Sequence, residues 1–238
     1  MKKIITLSVL FMTTALFAQE EAESSSSLDL GLDVQSRYIW RGIQLGGNAS
    51  SAQPWVEYST GKFAIGAWGA YNLGGLGTGN EADLYVTYSI SDAFSLTVTD
   101  YFFPSDGNAN GYGYYKQGHV FEGMVSFAGT ESFPIGITVA TNFSGDSDKD
   151  SNGNQSLSTY VELSYGTSIG DTEFSLTLGG VFNDDASYYL TDGSGLINFS
   201  IGAAKEIKLT DSFSLPVNGA ITFNPDSDDI FLTFGFSL

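Results

Sequence analysis

From Leu28 to Leu238 the chain alternates apolar and polar residues in segments of about ten, and the gaps between segments alternate short and long. The run Ala82-Asp83-Leu84-Tyr85-Val86-Thr87-Tyr88-Ser89-Ile90 shows the pattern. So do Phe174-Ser175-Leu176-Thr177-Leu178 and the terminal Ile230-Phe231-Leu232-Thr233-Phe234-Gly235-Phe236-Ser237-Leu238. Successive side chains of a strand point to opposite faces, so each segment turns one face to an apolar medium and the other to a polar one. Without a helix to cross it, a bilayer admits only a sheet that closes on itself, because an open edge leaves backbone groups unpaired in hydrocarbon. The expected fold is all-β: a single transmembrane antiparallel up-and-down β-barrel of about 12 strands in a bacterial outer membrane. A soluble secreted β-sandwich is the rival, and alternation over so many strands with this turn and loop asymmetry speaks against it.

Residues 1–18 read as a cleaved signal peptide: Lys2-Lys3, an apolar run from Ile4 to Phe17, then Ala18 before Gln19-Glu20-Glu21. Residues 19–27 read as a flexible acidic, Ser-rich tail, and 28–238 as the barrel. Strands are expected near 28–40, 52–60, 62–72, 81–90, 94–103, 119–128, 133–143, 156–168, 172–183, 196–207, 213–223 and 230–238. Connections at Thr60-Gly61, Ser91–Ala93, Gly129–Ser132, Gly170-Asp171 and Thr210–Ser212 are tight. Those at 42–51, 73–80, 104–118, 144–155, 184–195 and 224–229 are longer, as outer-membrane barrels have short periplasmic turns and long outer loops. Pro216 falls inside a strand and calls for a bulge or a later strand start. Asp100 falls on the lipid-facing parity and calls for a place near the outer rim or at a register shift.

The 27 Asp and Glu against nine Lys and Arg, a formal charge of −18, argue against a nucleic-acid partner. No cysteine is present, so disulfides, thiolate metal sites and cysteine nucleophiles are excluded. Assigning the apolar parity to lipid puts Asp33, Arg37, Glu57, Asp83, Tyr85, Tyr101, Glu122, Tyr160, Glu162 and Glu173 in the lumen, with Trp55 and Trp68 as candidate constrictions. Lumen carboxylates outnumber lumen bases, and rings of carboxylates concentrate cations. Asp148, Asp150 and Asn152 match the first half of a calcium loop, but Thr159 stands where the chelating Glu belongs, so a disordered acidic loop is expected. His119 is the only histidine and no nucleophile-elbow pattern accompanies it, so a rim position without catalysis is expected.

Ser36-Arg37-Tyr38-Ile39-Trp40-Arg41-Gly42-Ile43, followed by Gln53-Pro54, Tyr58, Gly61-Lys62-Phe63 and Gly66-Ala67-Trp68-Gly69, resembles the TorF-type porin family over about residues 30–72. The resemblance implies a porin-like outer-membrane barrel and names no substrate. Arg41-Gly42 also reads as a strand-end turn at the rim, where glycine lets the chain reverse and the arginine meets carboxylates. Resemblance to outer-membrane barrels further implies that Leu232, Phe234, Phe236 and Leu238 display the last strand to the barrel-assembly machinery. The partners expected are therefore outer-membrane lipid, that machinery and small solutes. The expected function is passive diffusion of small polar solutes, cation-leaning and without a cofactor. A non-conducting accessory barrel, plugged by Trp68, Tyr85, Tyr101 and inward-folded loops, is the alternative.

Overall fold

The period-two segments become strands that pair only with their neighbours. In the computed structural model, residues 26–74, 79–104, 111–113, 115, 117–183 and 187–238 are described. The signal segment and residues 19–25 of the tail lie outside them. The strands are β1 (Ser26–Gln35), β2 (Tyr38–Trp40), β3 (Ile43–Leu45), β4 (Ser51–Thr60), β5 (Phe63–Asn72), β6 (Glu81–Ser89) and β7 (Phe94–Phe102). They continue as β8 (His119–Phe127), β9 (Ile135–Gly145), β10 (Thr159–Ile169), β11 (Thr172–Val181), β12 (Gly195–Lys208), β13 (Ser214–Asn224) and β14 (Asp229–Ser237). Twelve of them form one closed antiparallel barrel in chain order, sealed by β1 against β14; β2 and β3 form a separate hairpin. No helix among the described residues is long and apolar enough to cross a membrane.

The seam is short on one side. Asp33, Val34 and Gln35 pair with Ser237, Phe236 and Gly235, and Leu32 exchanges backbone hydrogen bonds with Leu238. On its other side β1 pairs with β4 along its whole length, from Ser26↔Thr60 to Gln35↔Ser51. Ser26 and Ser27 thus belong to the barrel rather than to the tail. The first strand also ends earlier than the alternation suggests: it stops at Gln35, and residues 38–40 belong to the hairpin.

The outward parity is apolar all the way round. Val56, Ile65, Leu84, Val86, Val98, Leu163, Leu176, Ile201, Ile221 and Leu232 are exposed, while inward neighbours such as Thr87, Thr97, Thr99, Thr177 and Thr222 are buried. A closed barrel with an apolar outer band fits an outer-membrane protein. Cross-strand hydroxyl pairs line the inner wall: Thr87 with Thr97 at 2.9 Å and Ser200 with Thr222 at 3.0 Å.

Pro216 departs from expectation, whereas Asp100 lies near the long-loop end of β7, opposite Phe121, where β8 shifts register against β9. Pro216 causes no bulge: β12 and β13 keep register through Glu206↔Pro216, and β13 meets β14 only from Val217, so one edge of the strand is unpaired at the proline. Asp100 is only 8% exposed because Tyr112 donates to its Oδ2 at 2.6 Å and His119 Nδ1 lies 2.7 Å from Oδ1. His119 is therefore no bare rim residue. Its other ring nitrogen is 2.8 Å from the Tyr112 carbonyl, and the rings of Phe102, Tyr112 and Tyr115 surround it.

Leu176 points out of the wall and Thr177 into the lumen, so if the outer face lies in a membrane Leu176→Arg would place a charge in hydrocarbon at about 2–4 kcal/mol near the midplane, whereas Thr177→Arg would not. Heat-modifiable gel mobility should show impaired assembly for the first variant and folded barrel for the second.

Candidate functional site

After β1 the chain turns back into the barrel instead of forming a surface loop. Tyr38, Ile39 and Trp40 pair with Leu45, Gln44 and Ile43, and the two residues at the tip, Arg41 (φ 48°) and Gly42 (φ 82°), are both left-handed. That is the geometry of a type I′ hairpin turn. A left-handed arginine is disfavoured on its own, so the contacts at the tip must outweigh the strain.

Those contacts reach several strands of the wall and the 3-10 turn at Ser187–Tyr189. Arg41 Nη1 is 2.5 Å from Glu122 Oε2 and Nη2 is 2.9 Å from Oε1, a two-pronged charge-assisted pair on β8. Nη1 also donates to the Tyr189 hydroxyl at 2.6 Å. The guanidinium carbon lies 4.7 Å from the ring of Trp40 and 4.7 Å from that of Tyr160 on β10, within cation–π range. Tyr101 of β7 donates to Glu122 Oε1 at 3.0 Å, and Trp40 stacks on Tyr189 with centroids 5.4 Å apart.

The remaining anchors fit the same scheme. Tyr38 donates to Glu81 Oε2 of β6 at 2.6 Å, and Asn224 of β13 donates to the Gly42 carbonyl at 3.2 Å. Gly42 abuts the Ile197 carbonyl of β12 so closely that a Cβ there would overlap it. The hairpin is thus held by β6, β7, β8, β10, β12 and β13, and with Tyr101, Val120, Tyr160, Val181, Tyr189 and Ile197 it forms the buried core of the molecule.

Several residues sit elsewhere than the sequence suggested. Arg41 is not at the rim but inside the lumen. Arg37 does not line a pore; it braces the hairpin base, donating to Gln44 at 2.8 Å and Asn48 at 2.9 Å. Trp55 lies over Gly31 of β1, where only a glycine leaves room for its ring. Trp68 does belong to the obstruction, 5.7 Å from Tyr38. Asp33 accepts from Ser237 at 2.5 Å, Glu57 from Tyr85 at 2.9 Å and Glu162 from Tyr160 at 2.7 Å; Glu173 is half-buried on the inner parity near the β10–β11 turn.

Beneath the hairpin lies a cavity of about 210 Å³. Its ceiling is Ile39, Trp40, Arg41 and Gly42 with Tyr101 and Tyr160. Its walls are hydroxyls, Thr87, Thr97, Ser126, Thr138, Ser164, Thr177, Ser200 and Thr222 among them, and it extends to the short turn at Ser91–Phe94. Of the residues assigned to the lumen from sequence, Tyr101, Tyr160 and Glu162 border this cavity, while Asp83 and Glu122 do not.

The acidic outer loop is ordered rather than disordered. Asp148 is fully buried, accepting from the Ser158 hydroxyl at 2.5 Å and from Gln155 at 2.9 Å. Asp150 accepts the backbone N–H groups of Asn152 and Asn154, bonds that hold its carboxyl below the usual range. Both carboxylates thus serve to close a tight loop. Among the described residues no group of three or more His, Cys, Asp or Glu is placed to hold a metal ion.

Tyr188 and Tyr189, on the 3-10 turn Ser187–Tyr189, and the carboxamides of Asn198 and Asn224 were invisible as site residues, because no local pattern marks a loop or an inward amide that packs on a distant hairpin. The hairpin itself had a signal: Tyr38 to Leu45 alternates around a two-residue turn containing glycine.

A family model described as a bacterial protein of unknown function (Gcw_chp) matches residues 19–218, a span that includes the whole hairpin and its partners Glu81, Tyr101, Glu122 and Tyr160. The chain belongs to the Gcw_chp family. No curated protein matches it. In this Gcw_chp barrel the residues from Tyr38 to Leu45 build the hairpin that occupies the lumen.

Glu122→Gln leaves the Arg41 guanidinium buried without its counter-charge, a loss of about 3–5 kcal/mol for a broken buried pair. With Trp55 and Trp68 replaced by Phe, the emission of Trp40 should shift to the red and become accessible to acrylamide, while heat-modifiable mobility still reports a folded barrel. An unchanged Trp40 spectrum would mean that the ion pair is not what holds the tip.

Proposed function

We propose that this Gcw_chp protein is an outer-membrane, porin-like barrel whose conduit for small polar solutes is closed by the first-loop hairpin and opens when that hairpin withdraws. The observation that carries the reading is the position of Arg41: one hairpin tip, held by one ion pair and a few aromatic rings, separates the long-loop end from a hydroxyl-lined cavity that extends to the short-turn end. A wall of Ser and Thr hydroxyls offers both donors and acceptors, which suits hydrated or polar solutes with no cofactor and no covalent chemistry. The likeness of residues 30–72 to TorF-type porins supports the same class. Glu162 on the cavity wall favours cations over anions.

The test is planar-bilayer conductance. The intact protein should be mostly closed, and a variant with residues 38–45 replaced by a Gly-Ser linker should conduct steadily. In that variant Glu162→Gln should move the reversal potential in a salt gradient toward the anion side. If the linker variant folds and conducts nothing, the non-conducting accessory barrel is the right reading.

With the long-loop end facing outward, a tag at Asn152 should be labelled on intact cells and a tag at Asp171 should not. The reverse pattern would invert the orientation.

A further inference from the structure

The plug closes over a second cluster that its ion pair does not use. Glu81 and Asp83 stand two residues apart on β6, so both project from the inner face. They are 3% and 4% exposed, and their carboxyl groups are in hydrogen-bonding contact. The Tyr38 hydroxyl donates to one oxygen of Glu81. Asp83 Oδ1 is shut from solvent and has no hydrogen-bond partner. The Tyr188 hydroxyl, on the 3-10 turn that packs on Trp40, is likewise shut from solvent and without a hydrogen-bond partner among the described residues, and burial together with the charge of Glu81 pushes its pKa up. Among the described residues neither carboxyl has an ion-pair partner, and Arg41 is bound to Glu122 instead.

Two abutting carboxylates removed from water are costly unless something positive sits between them. A proton shared by the pair would ease their repulsion but would leave Asp83 Oδ1 and the Tyr188 oxygen as buried orphans. A cation takes lone pairs from both. Every available donor is oxygen, with no imidazole or thiolate in the cluster, and an all-oxygen set selects a hard ion. Two carboxylates match a double positive charge.

We propose that Glu81, Asp83 and the Tyr188 hydroxyl, bordered by Tyr38, hold a divalent cation of the calcium type between the hairpin and the barrel wall. With two carboxylates rather than three or more, the site belongs to the weak class, with a dissociation constant on the order of 0.1–1 mM, the range of extracellular calcium modules. Its ligands come from the wall, and its lid comes from the plug and the outer loop, so the ion ties together the parts that close the lumen. The proposal does not depend on the barrel conducting.

Terbium is the probe, because Trp68, which packs on Tyr38 and pairs in register with Asp83, can sensitise its emission. Folded protein in detergent should give saturable terbium luminescence on excitation of the aromatic residues, displaced by calcium at about 0.1–1 mM. Asp83→Asn and Glu81→Gln should each weaken terbium and calcium binding by about tenfold or more, and Tyr188→Phe, which removes only the orphaned hydroxyl, should weaken them less. Asp150→Asn, on the outer loop, should change nothing. Wild-type protein without calcium-displaceable emission would overturn the site, as would Asp83→Asn and Tyr188→Phe variants that fold and titrate like wild type; the carboxyl pair would then hold a proton.

Discussion

A sheet that closes on itself leaves no edge whose backbone N–H and C=O groups lack a partner, and the structure described here depends on that closure. It forces β14 to return to β1, even though only a few residue pairs make the seam. It also explains why Pro216 is tolerated where it is: the proline falls just outside the stretch paired with β14, which begins at Val217↔Phe236, so no donor is needed on that edge. Once the sheet is closed, the alternation has a fixed meaning, one parity for the outside of the barrel and the other for the lumen.

Closure then creates a second problem. Twelve strands enclose more room than inward side chains fill unaided, since about eight already make an interior that side chains just fill. The short-turn half keeps its space as a cavity walled by hydroxyls. The other half is filled by eight residues of the chain's own first loop. An arginine at the tip would be a poor choice for an apolar core, yet here its charge is matched by Glu122 and its planar faces by Trp40 and Tyr160. Each partner alone would be a buried, uncompensated group, so the pair is tolerated only because both come together. The same hairpin brings Tyr38 down on Glu81 and lies under Tyr188, which makes the carboxyl pair of β6 part of the closure rather than part of an open pore.

The strands were legible because their signal is local. Each of the twelve wall strands coincides with its alternating segment to within a few residues, and the side each residue faces follows from parity. Asp100 was legible as an anomaly, though not its remedy: Tyr112 and His119, which partner it, stand twelve and nineteen residues further on, and no period links them. Arg37 was read as part of the first strand and Arg41 as its end at the rim, because a hairpin folded inward and a strand carried outward have the same pattern of side chains. The Arg41-Gly42 turn was visible; its depth in the barrel was not.

By itself the sequence determined the wall: an all-β chain, closed, with an apolar exterior, a polar interior and an asymmetry between short turns and long loops. Period-two alternation encodes those features residue by residue, and no long-range information is required to read them. Whether the lumen is open, where Arg41 points, and which carboxylates stand alone were decided only by the tertiary structure. Those outcomes depend on contacts between Arg41 and residues eighty to nearly two hundred positions away, such as Glu122, Tyr189 and Asn224 beside Gly42, and nothing in the local pattern of any one of them carries the distance to the others.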